Sequence, residues 1–157
     1  MSKILITYHS ATGNTETMAK LVAQGAEKAG ADVTVKPVGD IDAAALLDYQ
    51  AIIVGSPTYY GAPAASIRAL FDDSVRYHGQ LEGKVGAAFA SSANIGGGNE
   101  TTVLSILDSM LIHGMVVQGN SKGDHYGPVS VNALDARAEK QCRELGRRVV
   151  ELADQLA

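Results

Sequence analysis

Cysteine is almost missing from this chain: Cys142 stands alone among 157 residues. A single thiol excludes an internal disulfide framework and any zinc or iron–sulfur site built on cysteine. Long hydrophobic runs are missing too, because no stretch reaches the roughly 18 apolar residues that a membrane-spanning helix needs. The opening MSKILITY is a short apolar run without a cleavage signature, so neither a secretory leader nor a membrane partner is expected. Charge of one sign does not dominate, since 13 Lys and Arg against 17 Asp and Glu leave a formal charge of -4. No basic stripe interrupts that balance, which argues against a nucleic-acid partner. His9, His78 and His125 form no ligand set with carboxylates, so no metal is expected. What is present is an ordinary globular mix, 46% hydrophobic and 19% charged, which excludes disorder. The length fits one domain over residues 1–157, and the expected protein is soluble and cytoplasmic.

Strand-like and helix-like runs alternate along the whole chain without an internal repeat. Lys3–Tyr8 is a continuous apolar and β-branched run, the pattern of a strand covered on both faces. From Asn14 to Ala29 the apolar positions Met18, Leu21, Val22, Gly25 and Ala29 share one helical face, and Gly30 is a natural stop. Asp32–Val38 alternates, with Pro37 pointing to a sheet edge. Ala51–Gly55 and Lys84–Ala90 read as further buried strands, and Met115–Val117 begins a fifth. Helices carry Ile67, Leu70 and Phe71, then Val103 to Leu111, then an apolar seam through Cys142, Leu145, Val149 and Leu152 between Ala133 and Gln155. That seam packs a core or contributes to a dimer. The pattern predicts an α/β doubly wound sandwich: five parallel strands in the order 2-1-3-4-5 with helices on both faces. Ligands of such sheets sit beyond the carboxyl ends of the strands.

Three strand-end loops hold the chemistry. In the first, Ser10, Thr12 and Thr15 bring hydroxyls, Asn14 an amide, and Gly13 lets the backbone close on a ligand. The helix that starts there adds free amide protons and a positive dipole end, which favour a phosphate. The loop contains no Lys or Arg, so neutral donors would hold a terminal monoester. It matches neither the nucleoside-triphosphate loop nor the dinucleotide fingerprint. A plain helix N-cap explains only one of its hydroxyls. After the third strand, Pro57-Thr58-Tyr59-Tyr60-Gly61 reads as a stiff turn whose tyrosines display rings to a flat heterocycle or else cover core. The fourth strand ends in Ser91-Ser92-Ala93-Asn94-Ile95-Gly96-Gly97, whose glycines expose backbone groups to the polar edge of a ligand.

The run S10-A-T-G-N-T15-E resembles the phosphate loop of flavodoxins, which bind flavin mononucleotide (FMN). Four segments together resemble more closely the WrbA-type NAD(P)H:quinone oxidoreductases: G55-S-P-T-Y-Y-G61, L81-E-G-K84, S91-S-A-N-I-G-G-G-N-E-T101-T and L111-I-H-G-M115. The resemblance covers nearly the whole chain and implies a flavodoxin-like fold. It also implies that Ser10, Ala11, Thr12, Gly13, Asn14 and Thr15 hold the FMN phosphate. By the same resemblance Pro57, Thr58, Tyr59, Tyr60 and Gly61 flank the isoalloxazine ring. Ser91, Ser92, Ala93, Asn94, Ile95, Gly96 and Gly97 would meet its pyrimidine side and the ribityl chain. His113 matches the family's H-G-M histidine near the flavin, and Tyr126 the tyrosine of its Y-G pair. The segment G39–Y49 is shorter than the family's, which uses its extra stretch in assembly.

Two functions fit these residues. One is an enzyme that passes two electrons from NAD(P)H to a quinone through FMN, with no side-chain nucleophile required. The other is a flavodoxin-type carrier between redox proteins, which usually docks through a strongly acidic face. The modest charge and the lack of an aromatic in the third loop favour the enzyme. A homodimer or higher oligomer is compatible with either.

Overall fold

β1 (Lys3–Tyr8) pairs in parallel with β2 (Asp32–Pro37) on one side and with β3 (Ala51–Tyr59) on the other. β3 in turn pairs with β5 (Val85–Ser92), again in parallel. In β1 the alternation of a strand sends Ile4, Ile6 and Tyr8 into one core layer and Leu5 into the other. All 157 residues are described by this computed structural model.

The central order β2-β1-β3-β5 carries the fold class expected from the sequence. The strand count differs. The fifth strand is split into β6 (Val116–Val117) and β7 (Val129–Val131), both on the same side of β5. β6 pairs with the start of β5, Val85 opposite Val116, and β7 with its end, Ser91 opposite Ser130. The chain therefore leaves the sheet edge after Val117 and returns to it at Val129, because residues 118–128 are too polar and glycine-rich to continue the run. A further two-residue strand, β4 (Ala62–Pro63), folds back antiparallel on the end of β3, with Tyr59 opposite Ala62.

Helices α1 (Asn14–Lys28) and α4 (Ala136–Leu156) cover one face, and α2 (Ala65–Asp73) and α3 (Asn99–Ile112) cover the other. α4 starts later than Ala133 because the Asp135 carboxylate accepts the Ala138 N–H at 2.8 Å and caps it. Its seam, including the fully buried Cys142, packs against α1 and the sheet of its own chain. The crossing with α1 is backbone-tight: a Cβ on Gly146 would lie 2.0 Å from the Val22 carbonyl oxygen, and one on Gly25 would lie 1.9 Å from that of Arg143. No helix is long and apolar enough to cross a membrane.

Candidate functional site

The registers Tyr8–Gly55 and Pro57–Ser91 align the carboxyl ends of β1, β3 and β5, so the three expected loops meet at one edge of the sheet. In the first loop Gly13 adopts φ +98° and caps α1 without a side chain, a conformation that suits glycine. The Ser10 hydroxyl oxygen accepts the N–H groups of Gly13 at 3.2 Å and Glu16 at 3.3 Å. Two amides of the helix start thus converge on one oxygen, the donor geometry an oxyanion requires. Ala11 and Thr12 are exposed beside them. The carboxylate of Glu16 accepts from Tyr8 Oη at 3.3 Å and lies 3.6 Å from Lys20 Nζ. Burial and then that carboxylate push the Tyr8 phenol upward.

The hydroxyl of Thr15 does not face the loop. It is buried and lies 2.9 Å from Ser91 Oγ, bracing the first loop against β5. Ser92 Oγ is likewise engaged: it donates to the Asn94 carbonyl and accepts from Asn99 Nδ2, both at 3.1 Å. Of the third loop, Ala93, Asn94, Ile95, Gly96 and Gly97 are exposed.

The second loop is a two-residue hairpin. Tyr60 at φ 50° and Gly61 at φ 77° give the left-handed pair that such turns demand. Tyr59 and Tyr60 are both exposed, so they display rings and do not cover core. The ring of His9 meets that of Tyr59 edge to face, with centroids 6.2 Å apart. Thr58 Oγ1 is buried with no partner, an unsatisfied hydroxyl within the loop cluster.

Sequence reading missed Thr101. Its hydroxyl reaches the Gly61 carbonyl at 2.7 Å and the Gly98 carbonyl at 2.8 Å. Gly98, at φ +100°, lies so close to the hairpin that a Cβ there would stand 2.7 Å from Gly61 Cα. The signals for Thr101 in the sequence were its position in the first turn of a helix that follows a glycine run and its place in the family-like segment that starts at Ser91.

Two expected residues lie elsewhere. α3 runs for 14 residues away from the third loop, about 21 Å at roughly 1.5 Å per residue, and His113 follows it. In one chain His113 therefore sits at the opposite edge of the sheet, beside the strand that pairs with the start of β5. Within one chain the structure does not bring it to the three loops. Tyr126 is exposed, and its neighbour Gly127 lies against Ala88, partway down β5.

The flavodoxin sequence profile matches residues 6–99, a span that holds all three converging loops. The chain belongs to the flavodoxin family. Among its relatives, a protein of Archaeoglobus fulgidus named NAD(P)H dehydrogenase (quinone) is 35% identical over 190 residues, covering 99% of this chain and 100% of the relative. A protein of Aquifex aeolicus named flavodoxin is 38% identical over 160 residues, covering 96% of this chain and 86% of its own. Among solved structures, a WrbA-like flavodoxin of Agrobacterium tumefaciens superposes with a TM-score of 0.84 at 28% identity, covering 100% of both chains.

Proposed function

We propose that this flavodoxin-family protein is an FMN-dependent NAD(P)H:quinone oxidoreductase. The observation that carries the reading is the convergence of three loops with complementary chemistry at the ends of β1, β3 and β5. The residues suit FMN on three counts. The N–H groups of Gly13 and Glu16 both go to Ser10 Oγ, which leaves that hydroxyl's proton to donate to a phosphate oxygen, and no cation is required beside a helix N-terminus. Thr58 Oγ1 is buried without a partner at the ring loop. The space over Gly13 is open, with nothing within 4 Å of a Cβ there.

In this reading Ser10, Ala11, Thr12, Gly13, Asn14 and Thr15 form the phosphate cradle, with Thr15 acting through its buried bond to Ser91. Pro57, Thr58, Tyr59, Tyr60 and Gly61 would flank the isoalloxazine, and the exposed main chain of Ala93 to Gly97 would read its polar edge. Bound FMN supplies the two-electron redox chemistry that no side chain of this set offers. The protein's part is to orient the ring and leave a face open: the third loop carries no aromatic, and the flanking Tyr59 and Tyr60 are exposed. A nicotinamide and then a quinone can use that face in turn. Exposed Tyr60 and Ile95 at the rim are where a second copy or a redox protein would sit. The cytoplasm, where NAD(P)H is kept reduced, is the matching compartment.

The carrier reading draws on the Aquifex relative named flavodoxin. Against it stand the net charge of -4, modest for docking to basic partners, and the open ring face. The deciding experiment is anaerobic: load the protein with FMN, add NADH or NADPH, follow the visible absorbance, then add benzoquinone. Bleaching followed by recovery supports the reductase. Flavin that binds but stays oxidised with both nicotinamides establishes the carrier instead, and failure to bind flavin overturns both. Sedimentation velocity of the loaded protein reads the oligomeric state.

A further inference from the structure

β7 is the last strand on its side of the sheet, so one of its edges has no neighbouring strand. The Pro128 carbonyl accepts the Ala90 N–H at 3.0 Å and therefore faces β5. Alternation turns the N–H and C=O of the next residue, Val129, to the open edge. Both groups are taken there. Asp124 Oδ2 accepts the Val129 N–H at 2.9 Å, and Arg137 Nη2 donates to the Val129 carbonyl at 2.7 Å. Arg137 Nη1 closes the ring on the Asp124 carboxylate at 2.7 and 2.9 Å. Arg137 stands in the first turn of α4, where the helix dipole disfavours a cation. A local rule is broken at this position, and the Asp124 side chain that offsets it is only 18% exposed.

β7 has only three residues, too few to hold its place by ladder bonds alone. It nevertheless carries a hold inward. Ser130 lies opposite Ser91, and both are buried. The Asn132 N–H donates to the Ser92 carbonyl at 2.8 Å and ends the pairing. Ser91 Oγ lies 2.9 Å from Thr15 Oγ1, and Thr15 stands in the first turn of α1. Its neighbour Glu16 sends its N–H to Ser10 Oγ in the first loop. A continuous path of bonds thus runs from the Asp124–Arg137 pair, across β7 and the end of β5, to the start of α1. The third loop has ties of its own, through Ser92 Oγ to Asn94 and Asn99.

We propose that Asp124 and Arg137 are positioning residues for the phosphate of the flavin. By capping both free groups of Val129 they set β7 against the end of β5. Through Ser91 they fix Thr15 and the helix start that form the phosphate cradle. The proposal rests on the FMN reading above, and neither residue touches the cofactor in it. Coupling through such a packed, hydrogen-bonded path acts on what its far end holds. The clamp therefore serves FMN more than riboflavin, which has the same ring and ribityl chain but no phosphate.

The test titrates the full chain, freed of flavin, with FMN and with riboflavin, and reads both affinities by fluorescence quenching. Arg137→Gln should weaken FMN binding by about three- to tenfold and riboflavin binding by less than about twofold. Asp124→Asn keeps an oxygen for the Val129 N–H, so it should move the FMN-to-riboflavin ratio in the same direction by less, and it stands in if Arg137→Gln does not fold. Arg147→Gln is the control, because that guanidinium makes an equally close pair with Glu151, at 2.6 and 2.8 Å, within α4. It should leave the ratio unchanged. Amide exchange at Asn132 reads the seating of β7 directly and should quicken in Arg137→Gln. An unchanged ratio in the Asp124 and Arg137 variants, equal weakening of both flavins, or the same change in Arg147→Gln would each overturn the proposal. A parent protein that binds neither flavin would instead remove the FMN reading on which it rests.

Discussion

Thr101 Oγ1 lies 2.7 Å from the carbonyl oxygen of Gly61, so the first turn of α3 holds the tip of the β3–β4 hairpin. The bond joins residues 40 positions apart and fixes the second loop relative to the third. Thr101→Val keeps the shape and removes the donor. A lost neutral hydrogen bond of about 0.5–1.5 kcal/mol predicts FMN binding weaker by about two- to tenfold, read by quenching of flavin fluorescence. Unchanged affinity would show that the hairpin tip is held without this bond.

The same junction is sterically closed at Gly98. A Cβ there meets Gly61 Cα at 2.7 Å and must also adopt φ +100°. Gly98→Ala is expected to cost about 1–3 kcal/mol and to lower the melting temperature by several degrees. Gly30→Ala is the control, because Gly30 has φ +96° with nothing within 4 Å of its Cβ position. The excess loss in Gly98→Ala over Gly30→Ala measures the contact alone.

The fold was legible where a strand is a long apolar run. KILITY and AIIVG announce β1 and β3, and α1 and α4 announce themselves by apolar spacing. β6 was read as the start of the fifth strand, but β4 and β7 were not legible, because strands of two or three residues have too few positions to show a period. The three loops were legible from their composition at strand ends. The Thr15–Ser91 and Thr101–Gly61 bonds were not, since each joins residues far apart in sequence and depends on strand register. The placement of His113 was within reach: a helix that starts at one edge of the sheet and rises about 1.5 Å per residue must end at the other.

At the α1–α4 crossing, Gly146→Ala is predicted to destabilise by about 2–3 kcal/mol, because its Cβ would stand 2.0 Å from the Val22 carbonyl oxygen and the helices would have to part. Gly39→Ala, with nothing within 4 Å, should stay near the parent value. Urea denaturation midpoints of the two variants give the comparison.

Cys142 should be chemically silent in the native protein. It is fully buried, and desolvation pushes its thiol up to about 12, so almost no thiolate exists at neutral pH. Ellman's reagent is expected to report no thiol until denaturant is added, and then one per chain. Rapid labelling of the folded protein would mean that α4 opens from the sheet.

His113 should give stability a dependence on pH. Burial, and then the charge of His78, hold its imidazole below the usual histidine value of 6.5. A group depressed in the folded state is neutral in both states at high pH, where its contribution is complete. As pH falls below about 6.5 the unfolded chain takes up a proton that the folded chain refuses, so stability declines until the folded value is passed. One group limits the slope to about 1.4 kcal/mol per pH unit. His113→Gln retains an N–H for Ser74 but cannot titrate. Its unfolding free energy between about pH 5 and pH 8 should therefore be flatter than that of the parent, with the gap confined to the acid side of about pH 6.5. Parallel curves would assign the acid sensitivity to carboxylates and leave His113 outside it.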